Sequence, residues 1–110
     1  MPIIRSTEVK FTTGRVKNTR SRILVNSERG AVAVTLGELI MNPGAELPMH
    51  THQVEEAFVI TKGTATVVLG NDTYTLSSSD VILAPAGVSH TLANHGKDPM
   101  DSFSFIRLLK

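Results

Sequence analysis

The sequence predicts an all-β domain, a small antiparallel β-barrel or jelly roll. Three observations carry that expectation. Val, Ile, Thr and Phe recur in short runs, clusters of Gly, Asn, Asp and Pro separate them, and no helical period runs through any segment. A chain of 110 residues with 41% apolar and 19% charged side chains suits one folded domain, here taken as residues 1–110.

The strands are expected at 20–25, 31–41, 57–61, 65–69, 73–76, 81–84, 89–93 and 102–108, within a total of about ten short strands. The clearest reversal is VVLGNDTYTL, where Gly70, Asn71 and Asp72 supply the backbone freedom of a tight hairpin. Other turns fall at Asn26 to Gly30, Asn42-Pro43-Gly44, Lys62-Gly63, Ser77 to Asp80 and Asn94 to Pro99. Open strand edges invite aggregation, so strands this regularly spaced should close into a barrel or stack as a sandwich. Residues 1–12 are less patterned and read as an N-terminal arm, suited to pairing with a second subunit, or as a frayed terminus.

Composition removes several functions. A net charge of +1 gives no field to attract nucleic acid or anionic lipid. Seven basic residues crowd the first thirty positions, against Glu8 and Glu28. They read as solvated surface, with Arg20 or Arg22 the candidates to approach an anionic substrate. The absence of cysteine excludes disulfides, thiolate metal sites and cysteine nucleophiles, so any metal must be held by nitrogen and oxygen. No run suits a signal peptide or approaches about 20 apolar residues, which makes a cytoplasmic location the expectation. Neither a phosphate-cradling glycine loop nor a serine-nucleophile context is present.

The chemistry concentrates in GAELPMHTHQVEE. His50, His52 and Glu56 share parity, so on an extended strand their side chains leave one face. Alternate residues on a strand lie about 6–7 Å apart, close enough for two imidazoles to reach one ion. Gln53 and Glu55 have the opposite parity and should point away. Of the remaining histidines, His90 enters a strand after a Pro-Gly turn in DVILAPAGVSHTLAN and is assigned to the site. His95, in NHGKD, is assigned to solvent.

Two spacings then stand out: G-x5-H-x-H-x3-E-x6-G over Gly44, His50, His52, Glu56 and Gly63, and P-x-G-x2-H-x3-N over Pro85, Gly87, His90 and Asn94. In both the chain resembles the cupin superfamily, departing at Ser79, where the second motif usually opens with glycine. The motifs span Gly44 to Asn94. The resemblance implies a single-domain double-stranded β-helix, commonly dimeric, with His50, His52, Glu56 and His90 binding one divalent metal ion. Iron, manganese, nickel, zinc and copper all accept such N and O ligands. Four protein ligands on an octahedral ion leave two positions open.

A +2 ion held by one carboxylate keeps a formal +1, which favours a small oxygenated compound that chelates through anionic oxygens. Dioxygenase-type oxidation leads. A lyase or isomerase acting on a sugar or sugar acid without redox change, and a non-catalytic binding barrel, are the alternatives. By parity Phe58 and Ile60 follow Glu56, and Leu92 and Asn94 follow His90. These four, with Arg107 if its face of the last strand turns inward, are the candidate pocket residues. Tyr74 sits beside a hairpin and reads as exposed.

Overall fold

The computed structural model describes residues 3–13 and 16–107. Leu108, Arg15 and the first two residues of the expected arm lie outside that range. Nine strands and two short 3-10 turns (Ser6–Glu8 and Ser27–Arg29) occur among the described residues, with no α-helix. The strands are β1 (Thr12–Thr13), β2 (Thr19–Val25), β3 (Val34–Met41), β4 (Glu56–Lys62), β5 (Ala65–Leu69), β6 (Asp72–Leu76), β7 (Val81–Ala84), β8 (His90–Ala93) and β9 (Met100–Arg107). No helix among them is long and apolar enough to cross a membrane.

All pairings are antiparallel, in a six-stranded sheet ordered β1-β2-β3-β9-β4-β7 and a three-stranded sheet ordered β6-β5-β8. Residues 44–50 extend the smaller sheet as an irregular fourth edge along β8. Leu47 N donates to Leu92 O at 2.9 Å, Asn94 N to Ala45 O at 2.9 Å, and His90 N to His50 O at 2.9 Å. The fold is therefore the predicted jelly roll. β3 begins three residues later than expected because the Asn26–Gly30 turn runs on through Ala33, and β9 begins two residues earlier, at Met100.

Register fixes which side chains enter the barrel. Directly paired residues share a face, so Ile60, Ser102, Leu39, Ser21 and Thr12 form one inward row across β4, β9, β3, β2 and β1. Ile82, Phe58, Ser104, Gly37 and Ile23 form the next. One end of the interior is dry: Met41, Ile60, Leu92 and Met100 have no exposed surface. Burying an aliphatic side chain of this size stabilises the fold by about 1.5–3 kcal/mol.

Two turns make this closure possible. Gly63 has φ +82°, and a Cβ there would lie 2.8 Å from Pro99 O, so only glycine fits between β4 and β5. Ser79, where the resemblance leads one to expect glycine, takes φ +78°. The chain keeps the left-handed turn and carries the strain of a Cβ in it.

The N-terminal segment folds onto its own barrel. Arg22 Nη1 donates to Ser6 O at 2.7 Å and Val9 O at 3.0 Å, its guanidinium lies 4.0 Å from the Phe11 ring centroid, and β1 pairs with β2. Arg20 and Arg22 thus occupy the outer face of the large sheet, and Arg22 pairs with Glu38 there at 2.7 Å.

Candidate metal centre

His50, His52, Glu56 and His90 come together, each offering one ligand atom within 4.8 Å of the others. The route differs from a single extended strand. His50 bridges His90 at the sheet edge, the chain bends at Gln53-Val54, and Glu56 opens β4. The three side chains converge all the same, although the strand alternation expected from the sequence does not run through residues 51–55 and the bend there brings Glu56 to the two histidines. Glu55 is exposed on the other side, as its parity predicts. His90 starts β8, and Gly87 N donates to His52 O at 2.9 Å, tying the two histidine-bearing loops to each other.

Backbone carbonyls orient two of the rings. His50 Nδ1 lies 2.8 Å from Pro48 O and His90 Nδ1 lies 3.1 Å from Val88 O. A carbonyl only accepts, so each Nδ1 donates its proton and each neutral ring keeps a lone pair on Nε2. Nε2 of His90 lies 3.4 Å from Glu56 Oε1, and Nε2 of His52 lies 3.1 Å from the same oxygen. His50 packs against both other rings, with centroids 5.0 Å from His52 and 4.3 Å from His90.

The Nε2 lone pair of His90 faces the Glu56 oxygen at 3.4 Å, a repulsive approach unless a cation or proton lies between them, and Nε2 of His52 reaches the same oxygen. Donors about 2.1 Å from a common ion sit about 3 Å apart at adjacent positions, which the two imidazole–carboxylate separations match. The residues therefore fit a divalent ion. Glu56 and His90 are buried, whereas the His52 side chain is 34% exposed and marks the open side.

The pocket candidates separate. Phe58 meets the His90 ring edge-on at 5.7 Å. Ile60 and Leu92 lie in the dry core, away from the opening. Asn94 is wholly buried with its amide in use: Nδ2 donates to Met41 O and Asp98 O, and Oδ1 accepts from Gly96 N. It holds the turn leading to β9. Arg107 is exposed and shares a face with Phe105, which pairs with outward Ala57; the face of β9 turned to the cluster carries Ile106, opposite Glu56. His95 is exposed and pairs with Glu46 at 3.0 Å. What the sequence left unseen are the carbonyls of Pro48 and Val88, since a backbone acceptor has no residue signature.

A family model for the cupin domain matches residues 37–106. The chain belongs to the cupin family. Within it, 58 residues are 38% identical to mannose-1-phosphate guanylyltransferase of Escherichia coli (strain K12), covering 53% of this chain and 12% of that protein. Another 78-residue match is 32% identical to the auxin-binding protein ABP19b of Prunus persica, covering 66% of this cupin and 37% of that protein. The cupin thus spans well under half the length of either relative.

Similar solved structures include the polyketide cyclase RemF from Streptomyces resistomycificus, with a TM-score of 0.88 at 23% identity over 97% of this chain and 79% of that one. A predicted oxalate decarboxylase from Thermotoga maritima gives a TM-score of 0.86 at 21% identity over 98% of this chain and 100% of the other. At such identities the likeness concerns the fold.

Proposed function

We propose that this cupin is a metal-dependent enzyme acting on a small oxygenated compound that chelates through anionic oxygens, with dioxygenase-type oxidation the leading reaction. The observation that carries it is the convergence of three imidazoles on one buried carboxylate, on the side of the barrel where His52 meets solvent. When bound, a divalent ion supplies Lewis acidity and, if it is iron or another redox-active metal, a site for O2 chemistry.

The chain's own residues set the terms. Glu56 contributes one negative charge against two positive, so a formal +1 remains to hold an enolate, diolate or carboxylate. The carbonyls of Pro48 and Val88 fix the His50 and His90 rings, and the buried Phe58 ring packs against His90. Among the described residues, the histidine and carboxylate side chains that converge there are these four. A substrate that arrives already ionised, as an enolate or catecholate does, suits such a site better than one needing a protein base.

Anaerobic loading with Fe(II), followed by oxygen uptake with diketones, flavonols and catechols, tests the proposal. Uptake with at least one class is expected; none across the panel, with metal confirmed in place, would sink it. A second reading, a lyase or isomerase working without redox change on a sugar or sugar acid, is favoured by the sequence likeness to a mannose-1-phosphate guanylyltransferase. Turnover without O2 on Zn, Mn or Ni would select it.

We also propose a homodimer. Val34 of β3, Phe105 of β9 and Val81 and Leu83 of β7, all 39% exposed or more, lie on the outer face of the large sheet. A contiguous apolar face of this kind is usually covered. Light scattering on the eluting protein should give twice the chain mass, and a shift to monomer for Leu83→Glu.

A further inference from the structure

Each sheet ends on strands with one unpaired side, and one of these edges is apolar. β7 closes the large sheet with Val81-Ile82-Leu83-Ala84, whereas β1 at the opposite edge is a pair of threonines and β6, an edge of the small sheet, carries Asp72, Thr73 and Thr75. Beside β7, Ile60 N donates to Asp80 O at 3.0 Å. Antiparallel neighbours exchange bonds at every second pair, so Phe58 with Ile82 and Glu56 with Ala84 make the next ones. The N–H and C=O groups of Val81 and Leu83 therefore point away from β4, and among the described residues no strand pairs with that side.

Exposure points the same way. On the outer face it rises toward this edge, from 39% at Val34 of β3 to 63% at Val81 of β7. Across the seam between the sheets, Tyr74 shares the inward face with its β5 partner, the core residue Val67, yet is 47% exposed. Tyr74, Val81 and Leu83 are among the residues lining one cavity of about 190 Å³ there. Small-molecule sites run from about 300 Å³ upward, so this one suits a side chain of a neighbouring chain better than a free ligand.

We propose that two copies of this chain join edge to edge, β7 beside the β7 of the second copy, antiparallel about a two-fold axis at Ile82. The proposal rests on the homodimer reading above and names the contact that makes the dimer.

The backbone selects the register. Centred on Ile82, Val81 lies opposite Leu83 of the second copy, and every free N–H and C=O of both residues finds a partner. If Leu83 instead met its own counterpart, Val81 would face Pro85, which has no N–H. If Val81 met its own counterpart, Leu83 would face Ser79, whose N–H already goes to Ile60 O at 2.7 Å. The register centred on Ile82 also keeps the Asp80 carboxylates apart, since each lies opposite Ala84 of the second copy and accepts from its own Ser77 N at 2.9 Å. On the outer face Val81 then packs beside Leu83 of the second copy, an apolar cross-strand pair. A two-fold axis of this kind stands normal to the sheet and leaves both inner faces on one side. The exposed seam at Tyr74 therefore meets its counterpart.

Cysteine, absent from the chain, provides the test. Val81→Cys and Leu83→Cys, co-expressed as single variants and oxidised, should form a disulfide between position 81 of one copy and position 83 of the other, because the Cα atoms of a hydrogen-bonded pair lie about 5.5 Å apart. Either variant alone should stay unlinked, its two thiols being carried on Cα atoms about 8–9 Å apart. In the unmodified chain the amides of Val81 and Leu83 should exchange with deuterium at least tenfold slower than open-chain amides; should the cysteine variants misfold, this measurement decides alone. Light scattering separates the proposal from the homodimer reading. Dimer mass with no mixed disulfide from folded variants, or with open-chain exchange at both amides, overturns the edge contact and leaves the homodimer standing. Monomer mass overturns both, and a disulfide formed by one variant alone overturns the register.

Discussion

Glu56 is the residue on which the centre turns, because its carboxylate oxygen faces two imidazole nitrogens at once. Glu56→Gln and His52→Ala should each lower metal content at least tenfold while far-UV circular dichroism stays that of the parent; elemental analysis of the purified variants decides this. Undiminished occupancy would remove these residues from the ligand set. Ser79 offers a prediction of the opposite sign. With φ at +78° it carries strain that glycine does not, so Ser79→Gly should raise stability by about 1 kcal/mol in urea unfolding, less the entropy glycine adds to the unfolded chain. Both positions are legible in the sequence, Glu56 from its parity with His52 and Ser79 from the motif position it occupies. The Nε2 lone pairs on His50 and His90 are not, since only the folded loops bring Pro48 O and Val88 O within reach of Nδ1.

Among the elements, β9 lies at the centre of the large sheet and carries Asp101 on its outer face, diagonal to Glu38 of β3. Burial and the Glu38 carboxylate push the Asp101 carboxyl up to about 7, opposed by the Arg22 charge, and its Oδ1 has no hydrogen-bond partner. The folded state therefore holds a proton that the unfolded chain releases near pH 4. Stability from this group is present at acid pH and falls as pH rises from about 4 to about 7, then levels off. Melting temperatures across pH 5 to 8 should show that decline, and Asp101→Asn should flatten it; a parent curve that rises instead would contradict the assignment. The β4–β5 turn gives a sterner case. Gly63→Ala forces a Cβ against Pro99 O in a left-handed conformation and should cost roughly 1–3 kcal/mol or prevent folding. Strand positions were readable from alternation to within a few residues. Register across the sheet was not, and so Asp101, Glu38 and Arg22, far apart in sequence, could not be foreseen as one cluster.

For the whole molecule, the two histidine-bearing segments belong to different parts of the barrel, and metal binding ties both to one point. Chelation should therefore lower the melting temperature of metal-loaded protein, since a ligand held only by the folded state adds about 2.7 kcal/mol at a hundred times its dissociation constant. An unchanged melting temperature after verified metal removal would mean that the ion contributes nothing to closing the barrel.

The sequence by itself determined the all-β class, most strand positions and the identity of the four converging residues. Alternation along a strand is local, and histidine and glutamate have few reasons to recur at such spacing. The tertiary structure decided the rest: that Ile60, Leu92 and Asn94 belong to a dry end of the barrel, that Arg107 faces outward, and that β7 lies at an edge of the large sheet. Each depends on which strand lies opposite which, and that pairing is set by contacts between residues remote in the chain.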